Sequence, residues 1–285
     1  MNYKYIKGYQ ANNNLMKSYY NFTQNVFDFD LIDWKNAGHW NDKYILHSLV
    51  YNDHIIANIS ACIMQLQILG NQVSAIQLGS VGVLPEYRAR GLSRILMEKV
   101  LQEYNQIPLI FLFANHNVLD FYPKFDFRRI IESVSQIDVS DCCAKRRKPT
   151  KINIGSACLK RLLNQKLQRS SILDARGNLS TYWFHLLYNY SENIYYIEDN
   201  DIVFIVKYQG ECAIIIDVLS TYSINIDEII GYLLLNDTKK VYFHFTPDWL
   251  LNEYDVISDD DDIMYVLGQF SCTIPGFKFP VTAHT

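Results

Sequence analysis

The chain has 285 residues, of which 49% are hydrophobic and 20% charged, and its formal net charge is -4. A chain of this length can bury a substantial core in about two domains, and its composition excludes a disordered or collagen-like protein. The small negative charge provides no basic field, so we expect neither nucleic acid nor an anionic membrane surface as the principal partner.

The sequence contains no run of about 18 apolar residues, the length needed to span a bilayer. Its first residues, Met1-Asn2-Tyr3-Lys4, lack the pattern of a signal peptide. We therefore expect a cytoplasmic protein without a membrane partner. The cysteines form no CxxC pair and have no nearby CxxH, which predicts neither a zinc site nor a disulfide framework; they are Cys62, Cys142, Cys143, Cys158, Cys212 and Cys272.

Strand-like and helix-like patterns alternate in the first half of the chain. Leu92, Ile95 and Leu96 lie on one face of a helix, whereas the run PLIFLFA is typical of a strand buried on both faces. Turn residues between three apolar runs indicate an antiparallel meander. The predicted strands are residues 3–8, 44–51, 55–69, 74–84, 108–114 and 127–139, and the predicted helices are 12–26, 92–104 and a short one at 117–124.

A similar order follows a basic segment, Lys145-Arg146-Arg147-Lys148-Pro149, which we interpret as part of a solvated linker. The alternative is a nucleic-acid-binding strip, whose complex would be sensitive to salt. Four acidic residues at 259–262 predict a solvated turn before the last strand, with a metal site as the weaker alternative. The later helices are predicted at 181–190 and 226–235, and the later strands at 193–198, 202–208, 212–219, 240–245 and 263–267.

The residues richest in chemical information run from Val81 to Arg94. A β-branched strand enters a loop with Arg88 and Gly91, and the loop opens directly onto an amphipathic helix. Free backbone N–H groups and the helix dipole favour a negative group at such a position, so the segment predicts an anion site suited to a diphosphate. An ordinary loop with solvated arginines is the alternative. The segment contains neither a Walker loop nor a dinucleotide fingerprint.

At these residues the sequence resembles the GNAT superfamily of acetyl-coenzyme A dependent N-acetyltransferases. The family pattern Gln/Arg-x-x-Gly-x-Gly/Ala is matched by Arg88-Ala-Arg-Gly91-Leu-Ser93, with Ser93 at the final small position. Further on, Asn115, Tyr122 and Phe127 match a second family pattern, in which Val118 replaces an Ala and Asp126 a Gly. The resemblance covers residues 1–140 and implies an α+β fold with a mixed, mostly antiparallel central sheet flanked by helices.

The resemblance also implies roles for individual residues. Backbone groups of Val81 and Val83 would pair with the pantetheine arm of acetyl-coenzyme A, and the Val83 N–H would polarise the thioester carbonyl. Asn115 would form a hydrogen bond with the pantetheine or brace the splayed strands. Tyr122 would donate a proton to the departing coenzyme A thiolate. The diphosphate would bind to the loop and helix start, which comprise Arg88, Ala89, Arg90, Gly91, Leu92, Ser93 and Arg94.

The general base is less well defined by the sequence. The candidates are His116, Glu86, Asp33 and His39. A fifth candidate comes from a resemblance to the enhanced-intracellular-survival type of GNAT protein, in which a degenerate GNAT-like domain follows the active one and the terminal carboxylate acts as base. In this sequence that carboxylate belongs to Thr285, although the chain is shorter than that group and lacks room for its additional domain.

Three segments are therefore expected: a GNAT acetyltransferase domain at 1–140, a basic linker at 141–155 and a degenerate GNAT-like α+β domain at 156–285. The last segment has neither Gly nor Arg between its strand 212–219 and the following helix, so we do not expect it to bind coenzyme A. It would wall the acceptor cleft or form a dimer interface, which leaves a homo-oligomer open. Its aromatic residues Tyr182-Trp183-Phe184 are more typical of a core.

The resemblance predicts an enzyme that moves acetyl from acetyl-coenzyme A, its cosubstrate, to a primary amine without a metal. A small-molecule acceptor is favoured over a protein or peptide. The alternative is a non-catalytic acyl-coenzyme A binding or regulatory protein. Tyr122, one of 21 tyrosines, favours the enzyme because its spacing fits the family pattern.

Overall fold

The computed structural model describes residues 2–165, 170–235, 237–247, 255–270 and 277–285. Its helices are α1 (Asn13–Phe27), α2 (Ile32–Asn36), α3 (Leu92–Glu103), α4 (Ala157–Gln165), α5 (Leu179–Tyr188) and α6 (Ile226–Leu233). Its strands are β1 (Lys4–Lys7), β2 (Tyr44–Tyr51), β3 (His54–Ile68), β4 (Asn71–Val83), β5 (Leu109–Ala114), β6 (Arg128–Asp138), β7 (Thr150–Lys151), β8 (Leu173–Arg176), β9 (Ile194–Ile197), β10 (Ile202–Gln209), β11 (Cys212–Leu219), β12 (Lys240–Phe243) and β13 (Asp255–Gly268). None of the helices in these residues is long and apolar enough to cross a bilayer.

The predicted α+β class with a mixed sheet flanked by helices is confirmed. The long helices and strands of the first half lie within a few residues of their predicted positions. The short helix predicted at 117–124 was wrong, because the segment forms two 3₁₀ turns, His116–Val118 and Tyr122–Phe125. Asn115 caps the first turn, and Asp126 ends the second in a left-handed conformation with φ 64°.

The strands form one sheet in the order β1-β2-β3-β4-β5-β13-β6-β12-β11-β10-β9-β7, with β8 paired to β3. Two parallel crossovers give it a duplicated pattern, since β4–α3–β5 is matched by β11–α6–β12. The last strand of each half pairs with the other half: β13 lies between β5 and β6, and β6 also pairs with β12. Strand pairing therefore crosses the predicted segment boundary, and the division into 1–140, 141–155 and 156–285 stays a prediction.

One other expectation changed in the second half, whereas the basic segment, in which residues 145–148 are exposed, stays a predicted linker. Residues 259–262 lie within β13, at a shift of its register against β6, and not in a turn before the last strand. The basic segment packs its backbone on α6, because Arg147 N–H donates to the Gly231 carbonyl at 2.8 Å and the Arg147 guanidinium lies over the Tyr232 ring. The five described cysteines are free, and Cys272 lies outside the described residues.

Alternate side chains of β3 pack against different helices. Cys62 and Met64 share a core with Met16, Tyr19 and Phe22 of α1. Residues on the opposite face of the strand, Ile59 and Ala61 among them, share a second core with the buried side of α3, which comprises Leu92, Leu96, Met97 and Val100. The two helices thus hold β3 and its neighbour β4 from both sides and fix the position of the strand that borders the cavity.

Candidate active site

A cavity of about 850 Å³ opens where β4 and β5 separate. The two parallel strands pair only through residues 75–78 and 109–112, although β4 continues to Val83 and β5 to Ala114. Its described lining can be grouped by where the residues lie in the chain. The group that we call the loop arm comes from α3, the end of β5 and the loop after it, and comprises Ser93, Ala114, Asn115, His116, Asn117, Val118, Leu119, Asp120, Phe121, Tyr122 and Lys124. The group that we call the aromatic arm comes from α1, the segment up to the start of β2, and α5, and comprises Thr23, Phe27, Phe29, Leu31, Trp34, Tyr44, Thr181 and Phe184.

Strand β4 is bulged where it lines the cavity. Its register against β3 shifts between Gly79, opposite Ser60, and Gly82, opposite Asn58. Within the bulge Ser80 adopts φ 47°, and its carbonyl accepts a hydrogen bond from the Asn58 amide at 3.2 Å. The bulge places Gly79, Ser80 and Val81 in the wall of the cavity. Bulges commonly redirect a strand next to a functional site in this way.

Beyond the bulge, the backbone of Val83 faces away from β3. The next N–H, from Leu84, donates to the Ile56 carbonyl at 3.0 Å. Because successive residues of a strand direct their backbone groups to opposite sides, the N–H and carbonyl of Val83 point toward the gap between β4 and β5. Arg88 Nε donates to that carbonyl at 3.2 Å, which leaves the Val83 N–H as the other group facing the gap, and Val83 itself is absent from the described cavity lining.

The loop after β4 prepares the N-terminus of α3. A 3₁₀ turn at Pro85–Tyr87 is followed by Ala89 at φ 60° and Gly91 at φ 72°. Gly91 tolerates this left-handed conformation at little cost, and no heavy atom lies within 4 Å of the place where a Cβ would be. The N–H groups of Leu92, Ser93 and Arg94 begin α3, so the helix has no carbonyl one turn earlier to accept their hydrogen bonds. These N–H groups can therefore bind an anion.

The three arginines of this segment are exposed, but they are not free side chains. Besides the bond from Arg88 to Val83, Arg90 donates to the Glu86 carbonyl at 2.8 Å and lies over the Tyr87 ring. Arg94 lies over the Phe125 ring and 3.8 Å from Glu98. Their positive charges surround the start of α3, while their contacts hold the loop in shape.

Tyr122 lines the loop arm and is only 4% exposed. Its ring packs against Phe121, Phe127 and Tyr265. Burial, and secondarily Tyr265, raises the pKa of the Tyr122 hydroxyl to about 12. The hydroxyl is therefore a neutral hydrogen-bond donor throughout the physiological pH range. Asn115 lies on the same arm, where its side chain accepts the Asn117 N–H at 3.1 Å.

The last residue of the chain lies at the bulge. A Cβ placed on Gly79 would lie 2.9 Å from the carbonyl carbon of Thr285, so only glycine admits this residue beside β4. Thr285 lines the cavity, and its buried hydroxyl oxygen makes no hydrogen bond within the described part of the chain. Neighbouring His284 stacks on Phe113 with 3.7 Å between ring centroids.

Buried polar contacts hold the segment that leads to Thr285. Lys278 forms a buried ion pair with Glu132 at 3.1 Å, and the same carboxylate accepts the Phe279 N–H at 2.7 Å. The Lys278 backbone exchanges two 2.9 Å hydrogen bonds with the Thr246 hydroxyl. Since Glu132 lies on β6, the strand that pairs with both halves of the sheet, the position of Thr285 depends on the combined fold.

His185 of α5 fixes the chain immediately before Thr285. Its Nε2 donates to the His284 carbonyl at 2.9 Å, and its Nδ1 accepts from the Asn189 amide at 3.0 Å. The two bonds define a neutral ring, because a carbonyl can only accept and the amide nitrogen can only donate. Burial lowers the pKa of His185 from 6.5 to about 4.

Acid should therefore destabilise the protein through His185. The unfolded chain binds a proton near pH 6.5 and the folded chain only near 4, so this contribution is complete above pH 6.5 and is lost as the pH falls to 4. Its maximum is about 3 kcal/mol. In urea unfolding at pH 7 and 4.5, we expect H185Q, which keeps a donor and cannot titrate, to lose less stability than the wild type. H54Q, at an exposed histidine, is the control; equal losses in H185Q and wild type would contradict the prediction.

The other base candidates occupy different places. His116 lines the loop arm, whereas Glu86, Asp33 and His39 are absent from the described lining. Glu86 is exposed in the loop, and Asp33 is exposed on α2. His39 stacks on Trp183 with 4.4 Å between ring centroids. The predicted candidates that the structure brings together in the cavity are thus His116, Tyr122 and Thr285.

Sequence reasoning missed the aromatic arm. Trp34 and Tyr44 come from the first half of the chain, while Thr181 and Phe184 come from α5, so no local spacing indicates that they meet. The only sequence signal was the unusually high number of aromatic residues. Phe184 and Thr285 of the second half line the cavity, and of the triplet 182–184 only Phe184 is part of the described lining. That the second half walls the acceptor cleft, or forms a dimer interface, stays a prediction.

Known proteins resemble this chain in sequence pattern and in fold. Residues 7–130 match the family model described as an acetyltransferase (GNAT) domain. A probable N-acyltransferase from Enterococcus faecalis is 12% identical, with a TM-score of 0.63 over 93% of this chain and 72% of that one. A GCN5-related N-acetyltransferase from Anabaena variabilis is 17% identical, with a TM-score of 0.62 and the same two coverages.

Eis1 from Mycobacterium abscessus is also similar in fold. It is 11% identical, with a TM-score of 0.62 over 93% of this chain and 73% of that one. At these identities the likeness concerns the fold. No curated protein matches the chain in sequence.

Proposed function

We propose that the chain is an acyltransferase of the GNAT superfamily, whose domain model residues 7–130 match, and that it transfers acetyl from acetyl-coenzyme A to the primary amine of a small molecule. One observation carries the proposal: a single cavity is lined by Ser93 at the start of α3, by the neutral donor Tyr122 and by Thr285. Attack is direct, so the amine nitrogen bonds to the carbonyl carbon as the carbon–sulfur bond breaks.

The loop arm fits acetyl-coenzyme A, which supplies the activated acetyl thioester when it is bound. The N–H groups at the start of α3 suit its diphosphate, and the open space beside Gly91 admits close approach to the backbone. The inward-facing N–H of Val83 suits the thioester carbonyl. It would donate to the oxygen on which negative charge develops, a contribution that is often the largest in acyl transfer. Val81 and Asn115 would form hydrogen bonds with the pantetheine.

We assign removal of the amine proton to the Thr285 carboxylate. A carboxylate is a weak base for a free ammonium, because a C-terminal carboxyl has a pKa of about 3.5 and an amine one of about 10. The nitrogen becomes far more acidic once it bonds to the carbonyl carbon, so the carboxylate can take its proton at that point. Before attack, the same negative charge orients the ammonium beside Gly79. The ammonium first loses one proton to solvent, because only the neutral amine has the lone pair that bonds to the carbonyl carbon, and the carboxylate then takes the second proton.

We assign the leaving sulfur to Tyr122. A tyrosine with a pKa near 12 would lose about 4 to 5 kcal/mol on full proton transfer to a thiolate with a pKa of about 8.5. We therefore assign to the Tyr122 hydroxyl a hydrogen bond to the leaving sulfur, which strengthens as negative charge develops on the sulfur. Transfer of the proton to the sulfur is completed as the amine proton is released. This assignment needs a neutral hydroxyl, which burial of Tyr122 maintains.

The proposal is tested by measuring thiol release from acetyl-coenzyme A by the 285-residue chain across a panel of amines, with acetyl-coenzyme A binding measured by calorimetry. We expect binding without an amine, and thiol release above the hydrolysis background with at least one small amine. Binding without release on any amine would favour the alternative, a non-catalytic acyl-coenzyme A binding or regulatory protein. Absence of binding would overturn both.

A further inference from the structure

The uncharged, mostly apolar lining of the aromatic arm favours some classes of amine over others. None of the side chains that line it in the described chain carries a charge. Its hydroxyls are already engaged, since Thr23 donates to the Tyr20 carbonyl at 3.0 Å, Thr181 lies 3.8 Å from the Cys62 sulfur, and the Tyr44 hydroxyl lies 3.3 Å from the Ser80 hydroxyl. The rest of the lining is apolar or aromatic, so the arm offers surface for burial and few groups for polar recognition.

The aromatic wall is fixed before any ligand binds. Trp34 is 1% exposed, and its Nε1 donates to the Ser180 carbonyl at 2.9 Å. Its ring meets Tyr44 and Phe184 nearly at right angles, with centroids 5.3 and 5.6 Å away. Phe29 adds a further ring 5.3 Å from Phe184. Interlocked rings of this kind form a rigid apolar surface that a ligand need not reorganise.

Among the described residues that line the aromatic arm and the bulge, Thr285 carries the one negative charge, its carboxylate, while Asp120 lines the loop arm. Asp30 and Asp33 belong to the same segment as Phe29 and Trp34, but neither is part of the described lining. One ammonium can therefore pair with the chain end. A second would be buried against aromatic rings without a carboxylate partner, which disfavours acceptors with several charges.

We propose that the acceptor is a hydrophobic monoamine, with one primary amine on an aromatic or aliphatic body that fills the aromatic arm. The inference deepens the proposed function and rests on it. It places the amine beside Thr285 and the body against Phe29, Trp34 and Phe184. Polyamines, aminoglycosides and lysine peptides carry additional charges or polar groups into the arm, so they are poor acceptors.

The first test compares 2-phenylethylamine with spermidine. We expect kcat/KM for acetyl transfer to favour 2-phenylethylamine by about 100-fold, the discrimination that a hydrophobic pocket achieves against an analogue that brings a polar group into it. Calorimetry with the chain saturated by coenzyme A should show binding of 2-phenylethylamine alone. Equal or greater kcat/KM for spermidine would overturn the inference.

The outcomes separate the inference from the proposed function. Thiol release with spermidine, without binding or turnover of 2-phenylethylamine, would overturn the inference and leave the transferase function intact. Binding of 2-phenylethylamine without thiol release from any amine would overturn the function and support the ligand class of the arm. If neither amine binds nor reacts, the inference fails.

A substitution in the arm should move the preference. F29D places a carboxylate in the wall, and we expect the ratio of kcat/KM between 2-phenylethylamine and spermidine to fall by at least about 10-fold. I131D adds the same charge at a side chain that is 74% exposed and outside the described cavity lining, so it should leave the ratio unchanged. F29A, which adds no charge, should weaken only 2-phenylethylamine. An unchanged ratio in both Phe29 variants would overturn the inference.

Discussion

Extending the chain by one glycine after Thr285 is expected to lower kcat by about 10² to 10⁴-fold, the range that a positioned base contributes. The added residue moves the terminal carboxylate by up to about 3.5 Å and replaces it at Thr285 with a neutral amide. Affinity for acetyl-coenzyme A should change little, because the start of α3 and Val83 are untouched. Single-turnover thiol release and calorimetry measure the two effects separately.

T285A is the matched control for that extension. It removes the hydroxyl, which has no hydrogen-bond partner in the described residues, and keeps the carboxylate in place. We expect kcat to stay within a few-fold of wild type. Deleting Thr285 should resemble the extension, since it withdraws the carboxylate from Gly79. If all three variants retained full kcat, the carboxylate of Thr285 would not be the base, and His116, on the loop arm, would become the next candidate to substitute.

The loop arm could be predicted from the sequence because its parts are local. Val83, Arg88 and Gly91 are separated by a few residues, and the conformations they require follow from backbone chemistry. The place of Thr285 depends instead on contacts between distant residues, such as Lys278 with Glu132 and His185 with His284. A sequence pattern can identify the chain end as a candidate base, but it does not show which distant residues contact one another.

The order of strands in the sheet also could not be predicted from the sequence, because the last strand of each half pairs with the other half. The apolar run of β5 predicts a strand buried on both faces, which it is. It does not specify the neighbour on each edge, and β13, which is distant in sequence, pairs with β5 on the edge away from β4. A chain cut at residue 140 would leave the β5 edge without its partner, so the two halves depend on each other even though each has its own crossover.

Y122F is expected to lower kcat by about 10²-fold, the effect of removing one positioned donor from developing charge. The ring and its packing remain, so affinity for acetyl-coenzyme A and the unfolding midpoint should change little. The phenolic pKa of about 12 keeps the wild-type donor protonated well above neutral pH. Loss of activity below pH 11 should therefore not report Tyr122, and Y122F should lower the whole pH profile of kcat without moving its limbs.

Y265F tests whether the effect belongs to the hydroxyl of Tyr122 or to any tyrosine of this cluster. Tyr265 packs on the Tyr122 ring, but its own hydroxyl donates to the Leu119 carbonyl at 3.1 Å, and Tyr265 is absent from the described cavity lining. We expect it to cost about 1 kcal/mol of stability with little loss of kcat. If Y122F kept as much of the wild-type kcat as Y265F does, the leaving sulfur would take its proton from solvent. Tyr122 would then serve only in packing.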